Sequence, residues 1–283
     1  MRLAACALLL LVTRLLQAES DAVTALELPI RFHDGLIWLE VNVPQSDKPL
    51  NFLLDTGASV SVLDLNTAQR LRLKLGSQVS VTGVGTTLSG HWPVKMSTKA
   101  NQIELPGKYL ALDLSKLSAA CSNSVEGLVG ADFLSDQVVQ IDYAAQKLRL
   151  LAAKPPGENA NSIPLEARRC GLRVAVSVDG GKRQWVRLDT GCATALQWVT
   201  TAVPPRQCAS KLAVAFSELS IPQTTTSVSL GRWRVEGVPT GLHREAIFPG
   251  ECGLLGNELL ARFGVVTIDA KNGRLILGPR CVE

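Results

Sequence analysis

The sequence predicts an all-β protein made of two homologous halves, on three observations. The tripeptide Asp-Thr-Gly occurs twice, as Asp55-Thr56-Gly57 and Asp189-Thr190-Gly191, each closing an apolar, strand-like run. Each copy is followed by a matching phrase, Gly127-Leu128-Val129-Gly130 in the first half and Gly253-Leu254-Leu255-Gly256 in the second. Around these landmarks the chain alternates apolar and polar residues in part, and its full length is punctuated by 23 Gly and 14 Pro, a strand-and-turn texture rather than a helical one.

The elements follow in order. Residues 1–18 read as a secretory signal: Arg2 supplies the positive start, residues 3–12 the apolar core, and Ala18 a small residue for cleavage before Glu19. The apolar run is too short to span a bilayer and Arg14 interrupts it, so no stable membrane insertion is expected. Leu3-Ala4-Ala5-Cys6 resembles a lipoprotein box but stands too close to Met1. The first half, residues 19–152, opens with a strand at 35–43, and its counterpart at 171–178 runs into the Asp179-Gly180 hairpin turn. Short helices are expected at 66–73 and after Gly130 and Gly256. Each half closes with a hairpin, 138–150 and 265–277, in which Asp142 and Asp269 precede the turn and read as structural. Residues 153–162, polar and Pro-rich, form the linker, and 163–283 the second half. Gly35 and Gly171 are 136 residues apart, Asp55 and Asp189 134, Gly127 and Gly253 126; duplication followed by loop changes leaves such drift.

Composition narrows the function classes. Charge is near balance, 29 basic against 25 acidic residues, and no basic run or basic–aromatic interleaving occurs, which argues against nucleic acid. With only three His and no Cys-x-x-Cys, no metal site or cofactor is expected. Of seven cysteines Cys6 leaves with the leader, and the six that remain allow up to three disulfides in an oxidising compartment. Cys170–Cys281 is the favoured pair, since it would tie the opening of the second half to the last strand. Periplasmic or secreted localisation follows from the leader and the cysteine count. Ser59 and Ser61 lack a Gly-x-Ser-x-Gly context, so a serine hydrolase is not expected. His33, His91 and His243 form no spacing pattern and read as surface residues.

Two carboxylates brought within hydrogen-bonding distance cannot both ionise, so they share a proton. The ionised member then takes a proton from water while the neutral member donates to a peptide carbonyl, which is general acid–base hydrolysis without a metal or covalent intermediate. The neighbours suit that task. Gly57 and Gly191 permit a tight turn that brings backbone N–H groups to the carboxylates, and Thr56 and Thr190 carry hydroxyls able to cross-link the loops.

On these residues each half resembles a retropepsin-like (acid protease) domain, and the whole resembles two such lobes related by a pseudo-twofold axis, as in the two-lobed pepsins. The resemblance runs from about Leu26 to Pro279. It implies that Asp55 and Asp189 are the catalytic pair of an aspartic endopeptidase, with Thr56, Gly57, Thr190 and Gly191 supporting the loops. It implies a monomer acting on a peptide or protein substrate, with the 128–130 and 254–256 segments passing behind the loops. A glycine-containing flap is expected to close over substrate, and Gly83, Val84 and Gly85 are the first-half candidates, although an ordinary Gly-rich hairpin turn fits them equally. The corresponding stretch in the second half, 223–228, lacks glycine. Two further positions depart from the pattern. Arg187 stands where the first half has Leu53, near the substrate cleft, where it selects an acidic side chain or holds the neighbouring carboxylate ionised. Cys192 replaces Ala58 and either joins a disulfide or lines the cleft as a free thiol. These two residues raise the alternative of a catalytically inactive peptide- or protein-binding module on the same fold.

Overall fold

The structure, a computed structural model, describes residues 24–83, 86–152, 161–168, 171–201, 208–214 and 217–279. The signal segment, most of the linker, Val84, Gly85, Cys170 and Cys281 lie outside the described residues, and with them the expected Cys170–Cys281 pair.

The strands Leu50–Leu54 and Gln184–Leu188 carry the Asp-Thr-Gly loops, and each lies deep in a sheet. In spatial order the first-half sheet runs Arg31–His33, Leu36–Val41, Leu50–Leu54, Gly127–Val129, Val62–Asp64, Lys108–Leu112, Thr86–Lys95 and Ser77–Gly83. In the second half the order is Gly171–Val178, Gln184–Leu188, Gly253–Leu255, Leu196–Val199, Trp233–His243, Ser217–Leu230 and Cys208–Val214, so equivalent strands recur in the same sequence. Each strand leading into an Asp-Thr-Gly loop pairs in parallel with the apolar–Gly strand, Leu54 opposite Val129 and Leu188 opposite Leu255. Strands covered on both faces are buried throughout, as residues 52–54 and 186–188 are; 52–54 is wholly apolar, whereas 186–188 carries the buried Arg187. The closing hairpins sit on a platform drawn from both halves: Val138–Asp142 pairs antiparallel with Val265–Asp269, flanked by Lys147–Leu151 and Arg274–Leu277.

Apolar burial holds this arrangement. Ile37, Phe52, Leu54, Val129, Leu188, Leu255 and Phe263 share one core, and each side chain of that size contributes about 1.5–3 kcal/mol. A second cluster in the first half contains Leu36, Trp38, Leu53, Val125 and Leu128. The expected turn at Asp179-Gly180 forms with positive φ at both residues, 48° and 72°, the primed geometry that matches strand twist. Asp142 and Asp269 accept from the N–H groups of Ala145 and Asn272 in the turns that follow them.

The helices differ from expectation in detail. Leu65–Arg70 is capped by Asp64, whose carboxylate accepts from Thr67 N at 2.9 Å, and the chain leaves the helix at Arg72 with φ of 54°. The segment after Gly130 is a single 3₁₀ turn, Ala131–Leu134, and that after Gly256 an α-helix, Asn257–Ala261. A further helix, Ser115–Ala120, has no fully buried residue and so leaves no apolar period in the sequence. No helix among the described residues is long and apolar enough to cross a membrane. Residues 223–228 lie inside the strand Ser217–Leu230 rather than at a turn. The hairpin that matches Ser77–Gly83/Thr86–Lys95 in strand order is Cys208–Val214/Ser217–Leu230, joined through residues 215–216 outside the described residues.

Candidate active site

The two Asp-Thr-Gly loops meet, and reciprocal bonds hold them together. Thr56 Oγ1 donates to Leu188 O at 2.7 Å and accepts from Thr190 N at 3.1 Å. Thr190 Oγ1 donates to Leu54 O at 2.8 Å and accepts from Thr56 N at 3.0 Å. Both threonines are fully buried, so these four bonds form away from competing water. Behind the loops, Asp55 N donates to Val129 O and Asp189 N to Leu255 O, both at 2.9 Å. Ala131 N donates to Ala58 O at 2.8 Å, and its counterpart Asn257 N to Cys192 O at 2.9 Å.

The glycines are required by proximity. A Cβ on Gly57 would lie 2.5 Å from Asp189 Cγ, and one on Gly191 would lie 2.5 Å from Asp55 Cγ. Each glycine therefore makes room for the carboxyl of the other half; neither has a positive φ, so the need differs from the backbone freedom expected from sequence. Gly130 and Gly256 likewise admit backbone, Val60 at 2.6 Å and Thr194 at 2.1 Å from an added Cβ.

The carboxyl groups of Asp55 and Asp189 are brought together, each against the glycine of the opposite loop, and their charges act on one another. Asp55 Oδ1 accepts from Gly57 N at 2.9 Å and Ala58 N at 3.1 Å, whereas Asp189 Oδ1 accepts from Gly191 N at 2.9 Å. Burial pushes Asp189 up to about 8, with the charge of Asp55 next in importance, against the opposing Arg187 charge and Gly191 N–H. Burial raises Asp55 as well, and the Ala58 and Gly57 N–H groups oppose it. The two titrate as a pair, and the member with two N–H donors is the one that ionises first.

The side chains that brace the two loops from behind differ between halves. In the first, Ser61 N and Oγ donate to Asp132 at 3.0 and 2.8 Å, while Ser61 Oγ accepts from Gly130 N at 3.0 Å. In the second, Ala195 replaces Ser61, and Asn257 Nδ2 donates to Thr190 O at 2.6 Å while its Oδ1 accepts from Tyr143 OH at 2.8 Å. The sequence gives Ser61 only as a serine without a nucleophile context and does not mark Asp132, Asn257 or Tyr143; a polar residue just after each apolar–Gly phrase, Asp132 and Asn257, is the signal it holds.

Arg187 does not face substrate. It is 2% exposed; Nε and Nη2 donate to Glu251 at 2.8 and 3.1 Å, Nη1 donates to Gly57 O at 2.9 Å, and Phe248 covers the guanidinium at 3.4 Å. The guanidinium is held by a buried carboxylate that the apolar context of residues 252–255 concealed. Cys192 is a free thiol among Ile247, Phe248 and Leu254, bonded to Thr194 Oγ1 at 3.2 Å, and burial followed by the Asp189 charge pushes it up to about 12. Cys121 and Cys252 are also free, so at most Cys170, Cys208 and Cys281 remain to pair, fewer than three bridges. Gly83 ends its strand opposite Thr86, at the base of the hairpin tip; Val84 and Gly85 lie outside the described residues.

The family model for aspartyl proteases matches residues 39–133, from within the strand Leu36–Val41 through the first Asp-Thr-Gly loop to the 3₁₀ turn Ala131–Leu134. No curated protein matches the chain. The match supports a protease of the aspartyl class, and the all-β architecture agrees with it.

Proposed function

We propose that the chain is an exported aspartic endopeptidase in which Asp55 and Asp189 form one catalytic pair. The observation that carries this reading is the meeting of the two Asp-Thr-Gly loops, each carboxyl seated against the glycine of the other loop inside four reciprocal threonine bonds. Asp55, with two backbone N–H donors, polarises a water; Asp189, with its raised affinity for a proton, donates to the substrate carbonyl oxygen. The tetrahedral intermediate collapses as Asp55 passes the proton it took from water to the leaving amine and a hydroxyl of the intermediate returns its proton to Asp189, so both carboxyls return to the starting state. The substrate is an extended peptide lying between the Ser77–Gly83/Thr86–Lys95 and Cys208–Val214/Ser217–Leu230 hairpins.

The proposal includes the plan read from the repeat: a signal segment at 1–18, retropepsin-like lobes at 19–152 and 163–283 about a pseudo-twofold axis, and a linker at 153–162. It also includes a monomer in the periplasm or outside the cell. The shared strand order of the halves supports the two lobes, and the residues joining both loops within one chain support the monomer.

The test is cleavage of a denatured protein mixture by the mature chain from about pH 3 to about pH 8, with Asp55→Asn, Asp189→Asn and a statine-type inhibitor alongside. Cleavage abolished by each substitution and by the inhibitor is the expected result. A folded wild type that cuts nothing at any pH would favour the inactive binding module, and loss with Asp55→Asn alone would assign the second lobe a structural role.

A further inference from the structure

Arg187 stands two residues before Asp189, where the first half has Leu53, and Glu251 stands two residues before Gly253, where the first half has Val125. Leu53 and Val125 are 1% and 2% exposed and pack in one apolar cluster. Arg187 and Glu251 are 2% and 6% exposed and form a two-point ion pair. An apolar pair in one half is thus exchanged for a charged pair in the other. Stability does not explain the exchange, because desolvating two charges offsets most of their attraction and an apolar pair of similar volume does as well or better.

What Arg187 has and Leu53 lacks is a contact across to the other catalytic loop. Its Nη1 donates to Gly57 O at 2.9 Å. That carbonyl belongs to the peptide unit whose N–H is Ala58's, and Ala58 N donates to Asp55 Oδ1 at 3.1 Å. One peptide group therefore lies between the guanidinium and the Asp55 carboxylate. A cation bonded to the carbonyl polarises the peptide and strengthens donation by its N–H, which favours the ionised carboxylate. Ala58 N and Cys192 N each donate to the main-chain oxygen of their own aspartate at 3.2 Å, but only Ala58 N also reaches the carboxylate. The support is one-sided.

We propose that Arg187 is a positioning residue that acts through the Gly57–Ala58 peptide to make Asp55 the ionised member of the pair and leave the shared proton on Asp189, with Glu251 fixing Arg187. This inference rests on the reading of Asp55 and Asp189 as one dyad. Few other charges face Arg187 from the elements around it. Arg173 is its cross-strand partner, but that guanidinium donates to Glu166 at 2.7 Å and lies over Trp185 at 4.8 Å. Phe248 and Leu254 are apolar, and the Cys192 thiol is neutral in the working range. Glu251, Asp55 and Asp189 are the groups that couple to it; through space its charge favours ionisation of both aspartates, and only Asp55 also receives it through a peptide group.

The experiment is a carboxyl titration by NMR of the mature chain labelled with 13C at aspartate side-chain carbons, for the wild type, Arg187→Gln with Glu251→Gln, and Glu251→Gln alone. Losing the cation should raise the lower apparent pKa of the pair by about one unit. Losing only Glu251 should lower it, because Arg187 then acts without its counter-charge. The acid limb of a peptide-hydrolysis pH profile should move in the same directions. Where the amide pair fails to fold, Arg187→Leu with Glu251→Val, which copies the first half, keeps the site packed and should show the same upward shift. The proposal is overturned if a folded double variant stays within about 0.2 units of wild type, or if both kinds of variant move the pair the same way. The titration needs no turnover, so a protein that cuts nothing would count against the endopeptidase reading and still decide the role of Arg187.

Discussion

Replacing Thr190 with Val isolates the joint between the loops. The two side chains have nearly the same shape, so no cavity opens, and only the hydroxyl is lost. Two bonds go with it, to Leu54 O at 2.8 Å and from Thr56 N at 3.0 Å, both fully buried. A buried donor or acceptor left without its partner costs about 1–3 kcal/mol, so the two orphaned groups together should cost about 3–4 kcal/mol. Thr56→Val removes a different pair of bonds, to Leu188 O and from Thr190 N, and should cost a similar amount. The double variant should fall short of the sum by about 1 kcal/mol, because once one pair releases the loops the other is already weakened. Urea unfolding followed by far-UV circular dichroism reads this as a lower midpoint with an unchanged slope. A loss below about 1 kcal/mol for either single variant would refute the view that these four bonds hold the loops face to face.

Other perturbations follow from the same geometry. Gly57→Ala puts a methyl 2.5 Å from Asp189 Cγ and should cut the peptidase rate about 100-fold or more, whereas Gly107→Ala, whose nearest neighbour is 4.0 Å away, should leave it unchanged; steady-state peptide hydrolysis compares them. Asp189 takes up its proton more readily in the folded state than in the unfolded chain, so its contribution to stability is full below the unfolded value of about 4 and is lost as pH rises toward about 8. The stability gain of Asp189→Asn over wild type should therefore grow between those limits, measured by urea unfolding at several pH values. Asn257→Ala strips partners from Thr190 O and Tyr143 OH and should cost about 2–4 kcal/mol, with Tyr143→Phe costing less, both read from urea midpoints. The native Cys192 thiol, buried and held protonated, should resist a thiol reagent at neutral pH and react only on unfolding, as peptide mapping of the modified protein would show.

The pattern of local sequence made much of this visible. The catalytic-loop strands, the apolar–Gly strands and the closing hairpins are all runs whose period or apolar continuity is set by burial, and the duplication displayed each of them twice. What stayed hidden was set by tertiary partners. Glu251 and Phe248 sit in an unremarkable loop, and nothing near them in sequence states that Arg187 is their partner. Comparing the halves would have exposed the pair, since Leu53 and Val125 are replaced together by Arg187 and Glu251. The helix Ser115–Ala120 has no fully buried residue and half-buries one apolar side chain, Leu117, too few to set up a periodic signal. The second hairpin was misplaced because its joining residues include neither Gly nor Asn, the usual turn markers. His243, expected at the surface, is half-buried and bonded to Gln197 at 2.8 Å, a contact between strands far apart in the chain.

The central claim is that the two halves of one chain build one working pair of aspartates. Titration of the mature protein with a tight statine-type inhibitor, at a protein concentration where sedimentation shows a monomer, tests it most directly. One inhibitor bound per chain, with binding lost in both Asp55→Asn and Asp189→Asn, is the predicted result. One inhibitor per two chains, or binding that survives Asp189→Asn, would contradict it.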